Sequence, residues 1–189
     1  RSLKHHLPNE TVFDEVRIFD AGPLGGPFSV SDVRIGSPIC EDAWFEDVTE
    51  TLAETGAEIL LVPNGSPYYR NKIGDRINHM VARSVETGLP VVYLNMVGGQ
   101  DDQVFDGASF VLNAGGELAL QLPAFDAVIA QVDFIRTADG WRAQARDLAT
   151  LPDEAAQGYR SVAEARPDDL CHSSFPLVLL CPSAGPPSP

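Results

Sequence analysis

The sequence predicts an α/β fold whose sheet is covered on its faces, and three observations point there. Short, nearly continuous apolar runs at 58–64 and 91–94 alternate with segments of helical apolar spacing at 46–55 and 71–87. Gly56, Gly88 and Pro90 stand at the joints, where a helix stop is needed. A meander of short apolar segments then closes the pattern between 108 and 132.

Taken in order, 33–39 reads as a strand through Val33, Ile35 and Ile39, and it delivers Cys40 at its C-terminal end. Residues 46–55 read as a short helix, with acids in the first turn and Val48, Leu52 and Ala53 apolar. Residues 58–64 form a buried strand. The 71–87 helix places Ile73, Ile77, Met80, Val81 and Ser84 on one face, and 91–94 is the next strand. Segments 108–112, 117–121 and 127–132 are strands, with Asn113-Ala114-Gly115-Gly116 as a turn. The loop Gly98-Gly99-Gln100-Asp101-Asp102 reads as a flexible turn.

Beyond Phe134 the periodicity decays, so 1–134 is expected to be one globular unit and 135–160 a linker. Residues 161–189 are rich in proline and unassigned, with disorder or an aberrant tail expected. A chain of 189 residues buries roughly 70% of its unfolded surface, enough for a core without staples.

A net charge of −14 with only 13 Lys and Arg disfavours nucleic acid, because phosphate binding needs concentrated positive charge. No apolar run approaches the ~20 residues of a membrane span. Three cysteines, Cys40, Cys171 and Cys181, lie at spacings that suit neither a disulfide framework nor a zinc site, which fits a reducing cytoplasm. The first residue is Arg1 rather than Met, so the start is expected to be a cut.

The informative stretch is Gly36-Ser37-Pro38-Ile39-Cys40-Glu41-Asp42-Ala43-Trp44. It sets a thiol at a strand-to-helix junction, where the following N–H groups can receive an oxyanion. On spacing alone a lone cysteine reads first as a small buried hydrophobe. Four ordered motifs go further: Lys4-His5-His6-Leu7-Pro8-Asn9 with Val12-Phe13-Asp14-Glu15; Ile39 to Trp44; Asn64-Gly65-Ser66-Pro67; and Asn95-Met96-Val97-Gly98-Gly99-Gln100-Asp101 with Val104-Phe105-Asp106-Gly107. Together they resemble the nitrilase superfamily of carbon–nitrogen hydrolases. The first and last resemble in particular the glutaminase domains of glutamine-dependent NAD+ synthetases, over residues 1–134.

The resemblance implies a nitrilase-type α-β-β-α sandwich, incomplete at its N-terminus, and a Cys–Glu–Lys triad with Cys40 as nucleophile and Lys4 as its lysine. Glu15 matches a supporting glutamate beside the lysine. The triad glutamate matches nothing in this sequence, so the segment by itself is expected to be inactive. Phe13, Glu41, Trp44, Ser66 and Lys72 match positions around the family's amide pocket. His5 and His6 read as surface or packing residues. Glu10 stands where the family usually has Tyr, a departure that changes the pocket's charge.

The implied reaction is hydrolysis of L-glutamine through a Cys40 thioester. Its ammonia would pass to a synthetase domain that amidates deamido-NAD. No metal or cofactor enters that half-reaction, and ATP and Mg2+ belong with the synthetase domain, the expected partner alongside homo-oligomerisation. Residues 151–160 resemble the approach to that domain, and the change after Arg160 suggests a shifted frame or a truncation. A free-standing ω-amidase-like enzyme and a non-catalytic remnant are the alternatives.

Overall fold

The apolar runs become the middle of a six-stranded sheet in the computed structural model, which describes residues 1–145 and the strand at 174–180. The strands are β1 (Phe28–Val30), β2 (Val33–Gly36), β3 (Ile59–Asn64), β4 (Val91–Asn95), β5 (Val97–Gln100), β6 (Gln103–Asp106), β7 (Phe110–Leu112), β8 (Leu118–Gln121), β9 (Ile129–Thr137), β10 (Gly140–Ala145) and β11 (Ser174–Leu180). The two helices are α1 (Glu46–Glu54) and α2 (Lys72–Thr87). The large sheet runs β1-β2-β3-β4-β7-β8, with β2, β3 and β4 mutually parallel and joined through α1 and α2. A second sheet runs β10-β9-β11, and β5 with β6 forms a hairpin.

Strand alternation divides the apolar side chains between two cores. Leu60, Val62, Val91, Tyr93, Phe110 and Leu112 pack with Val48 and Leu52 of α1 and Met80 of α2. Their neighbours Ile59, Val92 and Val111 point the other way, onto Val132 and Phe134 of β9 and Trp141 and Ala143 of β10. Full burial of such a side chain contributes about 1.5–3 kcal/mol, so the two cores bind the layers together. The described residues therefore stack as helix, sheet, sheet. Tyr93 and Phe110 are register partners, and their rings stack 4.8 Å apart.

Several expectations shift for physical reasons. The 33–39 strand ends at Gly36, since Pro38 carries no N–H and the N–H of Ile39 is taken by Asp42 Oδ2 at 3.0 Å. The segment 98–102, read as a turn alone, is the end of the β5–β6 hairpin, with Gln100 opposite Gln103 and Asp101 at φ 51° making the reversal. Gly107 closes that unit at φ 64°, where an added Cβ would lie 2.5 Å from Val97 Cγ2.

Strands also continue past Phe134, into the expected linker. β9 runs to Thr137 and pairs with β10, because Val132, Phe134, Trp141 and Ala143 keep the inward alternation. β11, within the 161–189 stretch, pairs with β9 from Ser174 opposite Ile135 to Leu180 opposite Ile129. The rest of the linker and tail, with Cys171 and Cys181, lies outside the described residues.

On α2 the buried edge is not the apolar stripe. Met80 and Ser84 are buried as the spacing predicts, but so are Lys72, Arg76 and Arg83, while Ile73, Ile77 and Val81 are half-buried. Charged side chains enter because partners await them. Arg76 Nη1 meets Asp106 Oδ1 at 2.7 Å, and Arg83 Nη1 donates to Trp44 O at 3.1 Å. Among the described residues no helix is long and apolar enough to cross a membrane.

Candidate active site

Cys40 lies just beyond β2, at the start of a 3-10 turn spanning Cys40–Trp44. Its φ of 54° is left-handed, a conformation that costs a non-glycine residue on the order of 1–3 kcal/mol. The turn is closed on itself: Asp42 N–H donates to Ile39 O at 3.1 Å while Asp42 Oδ2 accepts from Ile39 N–H. Asp42, 1% exposed, also receives the N–H groups of His5 and His6 on Oδ1, at 2.9 and 2.7 Å.

These bonds bring the N-terminal segment to the thiol. Lys4 Nζ bridges both Glu15 oxygens, at 2.9 and 2.7 Å, in a pair shielded from most solvent. The far side of the segment is held by Gly22, whose N–H donates to Lys4 O at 2.7 Å and whose carbonyl meets His5 Nδ1 at 2.6 Å. An added Cβ on Gly22 would lie 2.5 Å from Leu3 Cβ and 3.0 Å from Lys4 O. Gly22→Ala is therefore expected to cost roughly 1–3 kcal/mol by overpacking, seen as a lower urea midpoint, and an unchanged midpoint would show that the segment yields freely.

Cys40, Lys4, Phe13, Glu15, Gly22, Asn64 and Gly65 line one cavity of about 730 Å³. Burial pushes the Cys40 thiol above its ordinary pKa; the Lys4 ammonium and the backbone N–H groups of Gly65 and Glu41 push it back down, and Glu15 adds to the rise. A cation and two amide N–H groups thus favour negative charge at the sulfur. The same donors suit an oxyanion on an atom bonded to it.

The other side chains named from the sequence fall into separate places. Glu41 borders the thiol, and its carboxyl is pushed up by burial, with Lys4 opposing and Glu15 and Glu10 adding. Trp44 and Lys72 form their own group, with Lys72 Nζ 4.2 Å from the Trp44 ring centre and 4.6 Å from that of Tyr69. His79 stacks on Trp44 at 4.6 Å, and burial together with Lys72 pushes its pKa down. Ser66 is buried, and its hydroxyl accepts from Arg76 Nε at 3.1 Å. None of Glu41, Trp44, Ser66 and Lys72 lines the cavity that holds Cys40. Glu10 is exposed, with its carbonyl accepting from Phe13 N–H at 3.1 Å. His5 and His6 serve as anchors, His6 Nε2 meeting Asp47 Oδ1 at 2.8 Å.

Four supporting residues were not foreseen from the sequence: Asp42, Arg76, Asn95 and Asp106. Asn95 grips the turn after β3 from both sides, with Oδ1 accepting from Ser66 N–H at 2.8 Å and Nδ2 donating to Ser66 O at 3.1 Å. Arg76 Nη2 donates to the carbonyls of Ser66 and Pro67 at 2.8 and 3.1 Å. The turn that presents Gly65 to Cys40 is thus clamped from α2 and β4. Asp42, Asn95 and Asp106 had a visible signal in their places inside the motifs, whereas an arginine buried on a helix leaves none in the periodicity.

The profile of the carbon-nitrogen hydrolase family matches residues 1–142. The chain is 52% identical over 185 residues to a glutamine-dependent NAD(+) synthetase of Rhodobacter capsulatus, covering 98% of this chain and 34% of that protein. The corresponding protein of Acinetobacter baylyi is 37% identical over 182 residues, with 96% of this chain and 33% of that one covered. The chain thus spans about a third of the length of these relatives.

Among solved structures, a glutamine-dependent NAD+ synthetase from Acinetobacter baumannii in complex with ADP superposes with a TM-score of 0.67 at 36% identity. That match covers 79% of this chain and 28% of that one. A carbon-nitrogen hydrolase from Helicobacter pylori G27 gives 0.60 at 27% identity, over 64% of this chain and 47% of that one. With that profile matching most of its length, the chain belongs to the carbon-nitrogen hydrolase family.

Proposed function

We propose that this chain forms part of the glutamine-hydrolysing site of a glutamine-dependent NAD+ synthetase. The observation that carries the reading is the convergence of Cys40, Lys4 and Glu15 on one cavity, in a sequence 52% identical to a protein of that name. Cys40 Sγ attacks the side-chain amide carbon of L-glutamine, forming a C–S bond while the carbonyl becomes an oxyanion. Lys4 Nζ and the N–H groups of Glu41 and Gly65 receive that charge. Collapse expels ammonia and leaves a thioester, which water cleaves to glutamate. Glu15 holds the ammonium in place through its two-oxygen bridge.

The proton carrier is the triad glutamate, a role the motif gives to none of residues 1–189. Phe13 walls the cavity, Glu41 and Lys72 are the charges for the α-amino and α-carboxylate groups, and Trp44 and Ser66 shape their surroundings. ATP and Mg2+ act in the synthetase domain that uses the ammonia, in a cytoplasmic protein that associates with copies of itself.

A chimera tests this reading, with this chain replacing the matched stretch of the R. capsulatus relative. Glutamate release from L-glutamine coupled to NAD+ formation is expected. Preference for ω-amides of keto acids would support the free-standing amidase instead, and turnover of neither would support a non-catalytic remnant. In the same chimera Lys4→Ala is expected to lower glutaminase kcat roughly 10²–10³-fold, the usual cost of one oxyanion donor. Lys4→Arg does not restore it, because the planar guanidinium matches neither the shape nor the hydration of an ammonium. Normal turnover of Lys4→Ala would remove Lys4 from the site.

A further inference from the structure

Asp42 does not line the cavity that holds the thiol, yet its carboxylate joins two of the segments that build it. Oδ1 accepts from the N–H groups of His5 and His6 at 2.9 and 2.7 Å, and Oδ2 accepts from Ile39 N–H at 3.0 Å. Three amides therefore converge on one anion that is 1% exposed, the arrangement in which charge-assisted hydrogen bonds are strongest. Two of these amides follow Lys4 directly and the third precedes Cys40 directly. We infer that Asp42 is a positioning residue whose carboxylate fixes the distance between Lys4 and Cys40, and so controls how easily the thiol ionises.

Two readings of Asp42 predict opposite signs. As an isolated negative charge near a thiol, its removal would ease ionisation. As the tie that keeps an ammonium beside the thiol, its removal lets Lys4 swing away with only Glu15 and Gly22 to hold it, and ionisation becomes harder. A purely structural role would lower stability and leave the thiol of the folded fraction unchanged. The inference rests on the Cys40–Lys4 pairing of the proposed function, but its test requires no substrate.

The measurement is the rate of Cys40 alkylation by iodoacetamide in the full chain, resolved from Cys171 and Cys181 by peptide mass spectrometry, from neutral to alkaline pH. Lys4→Met is expected to slow labelling at neutral pH roughly tenfold, the effect of losing a cation that shares a thiol's cavity. Asp42→Asn is expected to slow it by a similar factor while the chain stays folded by circular dichroism. In the Lys4→Met background, Asp42→Asn adds little. Should Asp42→Asn not fold, Asp42→Glu takes its place, since it keeps the charge but its longer arm cannot meet all three amides. The same slowing is expected.

Faster or unchanged labelling of the Asp42 variant, beside slowed labelling of Lys4→Met, would overturn the positioning role and leave the Cys40–Lys4 pair standing. Unchanged labelling of Lys4→Met would overturn the pair itself and the inference with it.

Discussion

Cys40→Ala in the chimera is expected to abolish glutamine-dependent NAD+ formation and to leave ammonia-dependent formation near its original rate. In the proposed reaction the sulfur is needed for one step alone, the displacement of ammonia from the amide, and no other side chain lining the cavity is a nucleophile of comparable strength. A methyl group in its place leaves Lys4, Glu15 and the Gly65 and Glu41 amides where they are, so loss is confined to chemistry. Alanine is also tolerated at a φ of 54° no worse than cysteine, which keeps folding out of the comparison. Assays with glutamine and with ammonium salt separate the two outcomes. Equal loss in both would mean that Cys40 supports the fold rather than the hydrolysis.

The largest stability effect is expected at Asp106. Its Oδ1 meets Arg76 Nη1 at 2.7 Å, and the two side chains are 0% and 1% exposed. Its Oδ2 has no hydrogen-bond partner among the described residues, so this carboxylate gains little beyond the arginine. Arg76 in turn places three further donors on the Ser66 hydroxyl and the Ser66 and Pro67 carbonyls.

Asp106→Ala leaves a guanidinium buried without its counter-charge, which typically costs 3–5 kcal/mol. Arg76→Met with Asp106→Leu, a pair without buried charge, is expected to recover much of that loss, because breaking such a pair costs far more than replacing both members. Urea unfolding of the single and double variants measures the difference. A single variant within about 0.5 kcal/mol of the parent would show that water reaches the arginine.

Much of the frame was legible because period carries it. β3 and β4 are continuous apolar runs and both faces of the sheet are covered, so Leu60 and Ile59 can point to opposite cores. Besides the strands beyond Phe134, three things escaped. β1 has all its residues exposed, and a three-residue edge strand without a buried face offers no alternation to find. The β5–β6 hairpin hides behind glycines that resemble a loop. The inner face of α2 was misplaced because Lys72, Arg76 and Arg83 are buried by specific partners distant in sequence, which hydrophobic spacing cannot register.

The site divides in the same way. Cys40, Lys4, Glu15 and Phe13 were named from motifs and share one cavity, whereas Glu41, Trp44, Ser66 and Lys72 were named with them and stand outside its lining. Ser66 illustrates the reason. Its place in the Asn64-Gly65-Ser66-Pro67 motif suits a pocket residue, yet its hydroxyl is already bonded to Arg76 and its backbone to Asn95. A motif records which residues occur together and does not say which of them line one cavity. Asp42 shows the converse, a residue inside a motif whose three amide partners become visible only in the folded chain.

Trapping the acyl-enzyme tests the central claim most directly. The chimera is mixed with L-glutamine, quenched in acid within the first turnovers and digested, and the peptide that holds Cys40 is weighed. A glutamyl adduct on Cys40, lost on treatment with hydroxylamine and missing from Cys40→Ala, is the predicted result. Steady glutamate release with Cys40 unmodified at every quench time, or with the adduct on another residue, would contradict the account.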